Sequence, residues 1–459
     1  MVLQPIAPGS TAAKSNTIGR ASPATMPSKT DVFTKCAWRL IPFSVLLFTI
    51  NFIDRVNVGF AALTMNRDLS FTPSVFGFGA GVFFLGYFAF EIPSNLILAR
   101  IGARRCICLI MALWAAISAA CAFVHSEVQF YVLRFSLGIA EAGFFPGLLF
   151  YLTLWFPRSY RGRFAASLIA AGPLAGVVGG PLSGLILGMD GISGLHGWQW
   201  LFLIAGLPAC IAAFFVLKFM PDGPANVFWL TEEEKDIIAR KLAAEAGGKK
   251  YEFWPALVDF RVLILSIALL GMQSGLFGIG FWLLQIVQSM GFSVLLTGFV
   301  IVPPYLASAI AMFLWGRASD RAGERMWHLV LAAFLGSVGL FAASALQNNL
   351  LVLIALTIGM IGVHSTFGPF WGIPSSFLGG NAAAGGVALI NSIGSLGGFL
   401  APALIGVLRQ YTGDYRLGMA LLAGELLASG LIMLALGYRS PSVRGYRVTT
   451  QGLEEKTAR

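Results

Sequence analysis

The sequence predicts an all-α integral membrane protein with twelve transmembrane helices in two six-helix halves. Three observations lead there. First, 57% of the 459 residues are hydrophobic and only 11% are charged, less than half the charge fraction usual for soluble domains. Second, apolar stretches of roughly 20 residues, the length that crosses a bilayer, recur along the chain and leave no room for a soluble domain of ordinary size. Third, one basic loop pattern occurs twice, about half a chain apart.

Residues 1–35 are polar, rich in Ser, Thr and Pro, and lack a cleavable apolar core. They read as a disordered tail, and the first span is expected to direct insertion itself. Spans follow at about 38–63, 75–99, 106–124, 128–155, 164–188 and 198–219, completing a first half over 36–219. A polar segment, 220–260, divides the chain. In it, Thr231 followed three residues later by Glu234 forms a capping box. The run behind it has helical spacing and stops at Gly247–Gly248, as a short amphipathic surface helix would. The second half, 261–437, holds spans at about 261–289, 294–315, 327–346, 350–371, 384–408 and 415–437, and a basic tail occupies 438–459.

The net charge of +10 suggests nucleic acid only until its distribution is considered. Of the 31 Lys and Arg, 26 fall in the tails, the loops after even-numbered spans and the central segment. The opposite loops hold only Arg67, Arg409 and Arg416. The positive-inside rule therefore places both termini in the cytoplasm. The five cysteines, Cys36, Cys106, Cys108, Cys121 and Cys210, form no C-x-x-C and read as structural or incidental. No His-rich metal cluster, nucleophile motif or nucleotide-binding glycine loop is visible, so no cofactor, metal or enzymatic activity is expected.

The repeated pattern is Arg-x-Gly-x-Arg. It occurs as Arg100-Ile101-Gly102-Ala103-Arg104, followed by Arg105, and as Arg321-Ala322-Gly323-Glu324-Arg325; the two glycines lie 221 positions apart. A duplicated six-span unit explains it. With Gly316 and Asp320, the second copy reads G-x-x-x-D-R-x-G-x-R and resembles the gate loop of the major facilitator superfamily. That resemblance implies a gating role for Gly316, Asp320, Arg321, Gly323 and Arg325. In the first copy Asn95 replaces the leading Gly and Ala99 the Asp, so Arg100, Arg104 and Arg105 read equally as gate residues or as topology signals.

Among the charges inside apolar spans, where each is expensive, four stand out: Asp54 and Arg55 on the first span, Arg134 and Glu141 on the fourth. Adjacent helix residues project about 100° apart, and seven residues span about 10 Å of rise, so neither sequence pair is a ready-made salt bridge. Each must look to another helix or to water. Two acids and two arginines sum to zero, and protonating one acid frees an arginine for an anion. Asp54 and Glu141 thus read as proton-coupling acids, with Arg55 and Arg134 as substrate or counter-charge sites. The alternative is a network that merely orders the helices. Glu91 reads as a cap or bridge within the second span, and Glu425 has no assigned role.

The stretches NFIDRVNVGFA, YFAFEIPSNL, LRFSLGIAEAGFFPGLLFYLTLWFP and GWQWLFLIAGLP resemble bacterial members of the anion:cation symporter family within that superfamily, which includes tartrate, phthalate and 4-hydroxyphenylacetate permeases. The resemblance covers about 36–437. It implies a central cavity lined by the first and fourth spans, with Arg55 near Glu141, Asp54 near Arg134, or all four in one network. It also implies substrate contacts at Tyr87 and Asn391, beside which Ser392 lies. Independently of the resemblance, Gly368, Pro369 and Pro374 are expected to break the tenth span near His364, Ser365 and Trp371, all candidate cavity residues. At Gly172 the family's sugar-acid carriers have glutamine, which leaves a bulkier, flatter or shorter carboxylate; the aromatic content leans towards an aromatic acid. The expected function is import of an organic carboxylate with protons across the bacterial inner membrane, by a monomer with partners limited to substrate, protons and lipid. An exporter or exchanger, or a non-transporting carboxylate receptor, are the alternatives.

Overall fold

The computed structural model describes residues 29–246, 259–378 and 380–439. Most of the first tail, nearly all of the second and the expected stop at Gly247–Gly248 lie outside the described residues. Among the described residues there is no strand. Twelve helices are long and apolar enough to cross a membrane: Val32–Asp68, Pro73–Leu98, Ala103–Cys121, Glu127–Thr153, Ser167–Leu187, Gly197–Phe219, Phe260–Ser289, Val294–Ala322, Met326–Ala345, Asn349–Gly372, Gly385–Thr412 and Arg416–Arg439. They are numbered here as spans 1 to 12. One boundary differs from expectation. The first helix begins at Lys29, inside the stretch read as an unstructured tail. Val32 and Phe33 are buried there, with Phe33 5.2 Å from the Tyr160 ring.

Four spans are interrupted. Span 4 divides into Glu127–Glu141 and Phe144–Thr153, and span 5 continues a helix, Arg158–Ile169, into Ala171–Leu187. Span 8 divides into Val294–Val300 and Val302–Ala322, and span 11 into Gly380–Ser395 and Gly397–Thr412. Proline explains three of these breaks. It has no N–H, and its ring clashes with the carbonyl four residues back. Pro146, Pro173 and Pro304 each follow a break by three or four residues. Span 10 behaves otherwise. It was expected to break around Gly368 and Pro369, but it runs unbroken from Asn349 to Gly372, and a separate turn, Pro374–Phe377, follows. Close packing holds it: a Cβ on Gly362 would lie 2.1 Å from Gly336 N on span 9. One lost backbone bond at Pro369 is tolerated within a helix supported this way.

The halves meet through span pairs 2 and 11, 5 and 8, and 1 and 7. Near the loops that follow odd-numbered spans, backbones touch. A Cβ on Gly77 would lie 2.3 Å from Pro402 O, one on Gly406 2.4 Å from Pro73 O, and one on Gly298 2.5 Å from Gly180 O. Only glycine permits this approach, as in small-residue packing between membrane helices generally. That end is shut, and a cavity lies deeper between the halves.

The central segment docks on the first half. Its helix, Glu232–Ala246, carries the expected capping box: Thr231 N donates to Glu234 Oε2 at 2.9 Å and Glu234 N to Thr231 Oγ1 at 3.2 Å. Glu234 also accepts from Lys35 Nζ at 2.8 Å, while Trp229 stacks on Trp155 at 5.7 Å and lies under Arg39. Burial works to raise the Glu234 carboxyl, but Lys35 and the Thr231 N–H outweigh it and hold it below its ordinary value. A depressed carboxyl contributes stability that is present above its unfolded value, about 4.3, and lost as pH falls through the folded one. Docking is therefore expected to persist from neutral pH to about pH 5 and to loosen only below the usual carboxylate range. Glu234→Ala removes the half of the capping box that satisfies the Thr231 N–H, as well as the bridge to Lys35. Amide hydrogen exchange should then accelerate over 232–246 and stay unchanged in the spans.

Candidate functional site

Span 1 stays helical through Asn51, Asp54 and Arg55. Its buried face turns Asn51 and Arg55, four residues apart, to one side, as helix spacing dictates. Glu141 is the last residue of the first segment of span 4, just before the break that Pro146 imposes. The two meet. Arg55 Nη2 donates to Glu141 Oε2 at 2.8 Å and Arg55 Nε to the same oxygen at 3.2 Å. Asn51 Nδ2 donates to it as well, at 2.8 Å, and Asn51 Oδ1 accepts from Arg55 Nη2 at 3.5 Å. Glu141 is fully buried and Arg55 is 8% exposed.

Asp54 and Arg134 do not pair. No nitrogen of Arg134 lies within 4.0 Å of the Asp54 carboxylate. Asp54 Oδ1 instead accepts from Ser118 Oγ of span 3 at 2.6 Å. Arg134 reaches the Ala80 carbonyl at 3.4 Å and places its guanidinium carbon 5.1 Å from the Phe83 ring centre. Arg55 lies at the same distance from that ring. Phe83 therefore contacts both cations, a favourable use of its negative π face. Asp54 Oδ2, Arg134 Nε and Nη1, Glu141 Oε1 and Trp114 Nε1 are buried without a hydrogen-bond partner. The four charges share one region, but only one ion pair closes.

The cavity between the halves encloses, mouth included, about 750 Å³. The first half contributes Arg55, Tyr87, Gly172 and the rings of Phe48, Phe52, Phe84 and Phe145; the second contributes Gln273, Phe277, His364, Trp371, Asn391 and Ser395. Among the described residues, Arg55 is the charged side chain on this wall. The expected site residues separate accordingly. Arg55, Tyr87, His364, Trp371 and Asn391 border the cavity. Arg134, Ser365 and Ser392 are buried and do not line it; Arg134 is fully buried, with its guanidinium against Phe83 and the Ala80 carbonyl. His364 Nδ1 bonds to the Met360 carbonyl at 2.8 Å. Asn391 Nδ2 and Ser392 Oγ donate to Glu91 of span 2, at 2.7 and 2.6 Å. Gly172 faces Phe52, with the site of a Cβ 3.3 Å from the ring.

The loop arginines lie outside the cavity. Arg104 bonds to the Leu217 carbonyl and lies 3.5 Å from Asp222, whereas Arg100 and Arg105 are exposed. In the second copy, Gly323 ends span 8 in the left-handed conformation, φ +60°, and Arg325 bonds to the Gly372 carbonyl at the end of span 10. Asp320 and Arg321 are exposed, and Gly316 faces open space.

Sequence reasoning missed Asn51, Ser118, Phe83, Gln273 and Ser395. Asn51 had a signal, a polar residue four positions before Arg55 in an apolar run. Ser118 had none, since an isolated serine in span 3 says nothing about which carboxylate it meets.

Two helical halves around a central cavity, edged by a buried ion pair, define a polytopic membrane carrier. The Major Facilitator Superfamily profile matches residues 44–402, and the chain belongs to that superfamily. It is a transporter by family, not an enzyme. A protein of Agrobacterium vitis named "Putative tartrate transporter" is 46% identical over 92% of this chain and 94% of its own. The "Quinolone resistance transporter" of Acinetobacter baumannii is 39% identical over 90% and 96%. Among solved structures, a bacterial homolog of the human lysosomal transporter Spinster, inward-facing and occupied, matches the fold with TM-score 0.71 at 17% identity, covering 89% of this chain and 98% of that one.

The ion pair makes a stability prediction. Arg55→Met leaves Glu141 buried without its cation and is expected to cost about 3–5 kcal/mol. Arg55→Met/Glu141→Leu removes both charges and should recover most of that loss. Thermal unfolding of the two variants in one detergent checks it; equal destabilisation would show that the pair is not coupled.

Proposed function

We propose that this carrier imports a small organic carboxylate together with protons, by alternating access, across the bacterial inner membrane with both termini cytoplasmic. One observation carries the reading: Arg55 is both the cavity's cation and the partner of the buried Glu141. Arg55 spends Nε and Nη2 on a single oxygen of Glu141, and Nη1 makes no protein hydrogen bond among the described residues. A substrate carboxylate meets that free donor at the cavity. A proton on Glu141 weakens the internal pair and releases more of the guanidinium, so anion and proton are taken up together. Asp54, one residue away and held by a neutral hydroxyl, is the second acid that can share the load. Span 1 to span 6 and span 7 to span 12 act as the moving halves, with the arginine-containing loops at the cytoplasmic end as gate elements.

The tartrate-named relative favours a short hydroxylated dicarboxylate over an aromatic acid. The aromatic wall fits either, and Phe52 beside Gly172 narrows the space that a longer sugar acid would need. The quinolone-resistance relative supports a second reading, export through the same cavity. In vesicles, import predicts carboxylate accumulation under an inward proton gradient, abolished by a protonophore. Export predicts that expression raises quinolone tolerance in cells and that the gradient drives no carboxylate uptake.

Two substitutions test the residue roles. Arg55→Lys keeps the charge but loses the planar fork, and is expected to weaken substrate binding at least about tenfold, or 1.4 kcal/mol. Near-normal affinity would make Arg55 a generic counter-charge. Glu141→Gln cannot release a proton. Counterflow exchange should survive in it while gradient-driven uptake fails; survival of both would remove Glu141 as the coupling acid.

A further inference from the structure

Glu91 carries a buried carboxylate that the coupling scheme above does not use. It lies on span 2, one turn or about 6 Å of rise beyond Tyr87. It is 1% exposed. Both its oxygens are taken by the other half: Asn391 Nδ2 donates to Oε1 and Ser392 Oγ to Oε2. It forms no ion pair with Lys, Arg or His among the described residues. A carboxylate held across the joint between the halves by two neutral donors is an unusual way to stabilise a protein interior, because buried acids ordinarily take a cation.

Asn391 faces two ways, since the same residue also borders the cavity. That gives Glu91 control over what the substrate meets. An ionised carboxylate only accepts hydrogen bonds, so it holds the amide with its nitrogen towards Glu91 and its carbonyl oxygen on the far side. A protonated carboxyl has an O–H to donate. The complementary amide is then reversed, with its carbonyl towards Glu91 and its NH₂ free to turn outward. The terminal torsion of asparagine is broad, so the reversal needs no backbone movement. The Ser392 hydroxyl rotates to suit either state.

We propose that Glu91 is a positioning residue that sets the polarity Asn391 presents to the substrate: ionised, it holds the amide nitrogen away from the cavity, and on taking up a proton it lets that nitrogen donate to a substrate carboxylate. This rests on the carboxylate–proton reading and adds a second proton site to it, on the joint between the halves. The proton enters from the aqueous side, adds to a Glu91 oxygen and leaves when the substrate departs and the amide turns back; no bond to the substrate forms. The charged groups around Glu91 are few. Span 1 brings Arg55, the cation that acts on Glu91, and its own helix brings Tyr87, the neighbouring titratable group. Span 3 has Arg104 and Arg105 only at its start. Span 11 has no charge before Arg409, near its far end.

Two measurements on the full-length carrier test this. The first needs no substrate. Infrared difference spectra of the purified protein, stepped between about pH 8 and pH 5, should contain a protonated-carboxyl band that Glu91→Gln removes and Asn391→Ala shifts in frequency. A spectrum unchanged by Glu91→Gln, or a Glu91 band indifferent to Asn391→Ala, overturns the proposal. The second follows binding of radiolabelled tartrate across the same range. Wild-type affinity should fall as pH rises. Glutamine either donates or accepts, so Asn391 can turn at every pH in Glu91→Gln, and binding at pH 8 should be about tenfold tighter than in wild type. A uniform loss of affinity at all pH values would make Glu91 structural and overturn the proposal. If wild type binds no tartrate or other carboxylate, the functional reading fails, and the infrared result still decides whether Glu91 governs Asn391. Should Glu91→Gln fail to fold, the shift of the wild-type band in Asn391→Ala carries the same decision.

Discussion

A low-dielectric interior tolerates a charge only beside its counter-charge, and the Arg55–Glu141 pair is where this protein meets that constraint. Much of the neighbouring geometry follows from it. Asn51 must face Glu141 to share the carboxylate, which fixes the rotation of span 1. Glu141 must stand at the end of a helical segment, where Pro146 interrupts span 4. Phe83 must lie against both guanidiniums. Around the pair, several buried polar atoms of Asp54, Arg134, Glu141 and Trp114 lack partners. A partly satisfied network in low dielectric is costly and therefore responsive.

The packing sets where that network can act. Glycine contacts between spans 2 and 11 and between spans 5 and 8 bring the halves to backbone distance at one end. Larger side chains, Phe52, Phe84, Phe277 and Trp371 among them, hold the halves apart at the cavity. Small residues close and large ones space, so the cavity sits beyond the shut end. The interruptions in spans 5, 8 and 11 lie in helices that make this joint. Each provides a place where a helix can change direction without breaking its contact with the neighbour.

Sequence made the spans legible because hydrophobic length is a local property, and the capping box at Thr231 and Glu234 because its two partners are three residues apart. The four buried charges were legible as anomalies in apolar runs. Their partners were less so. Arg55 near Glu141 was one of the arrangements that the family resemblance left open, but Asp54 meeting Ser118 instead of Arg134 depends on how span 3 is rotated. Glu91 and Asn391 are 300 positions apart, and nothing local in either span announces the other. Pro369 misled for a related reason. Proline weakens a helix locally, but whether the helix breaks depends on packing, and Gly362 against Gly336 supplies support that the local pattern does not display.

The charges and the neutral groups are also divided between the halves. The ion pair, Asp54 and Arg134 all belong to the first half, whereas the second half faces the cavity with amides, hydroxyls, an imidazole and aromatic rings. This division matters for any rocking of the halves. Separating Arg55 from Glu141 would expose a bare buried charge, at several kcal/mol. Because both partners lie on the same half, movement between the halves leaves that pair intact. What must break at the joint are hydrogen bonds from neutral donors, such as those from Asn391 and Ser392 to Glu91, each worth roughly 1.5–3 kcal/mol when the acceptor is charged. Protonation of Glu91 lowers that cost further by removing the charge. In the proposed rocking motion, the costly electrostatics would stay inside one half, and hydrogen bonds from neutral donors to Glu91 would be what crosses the joint.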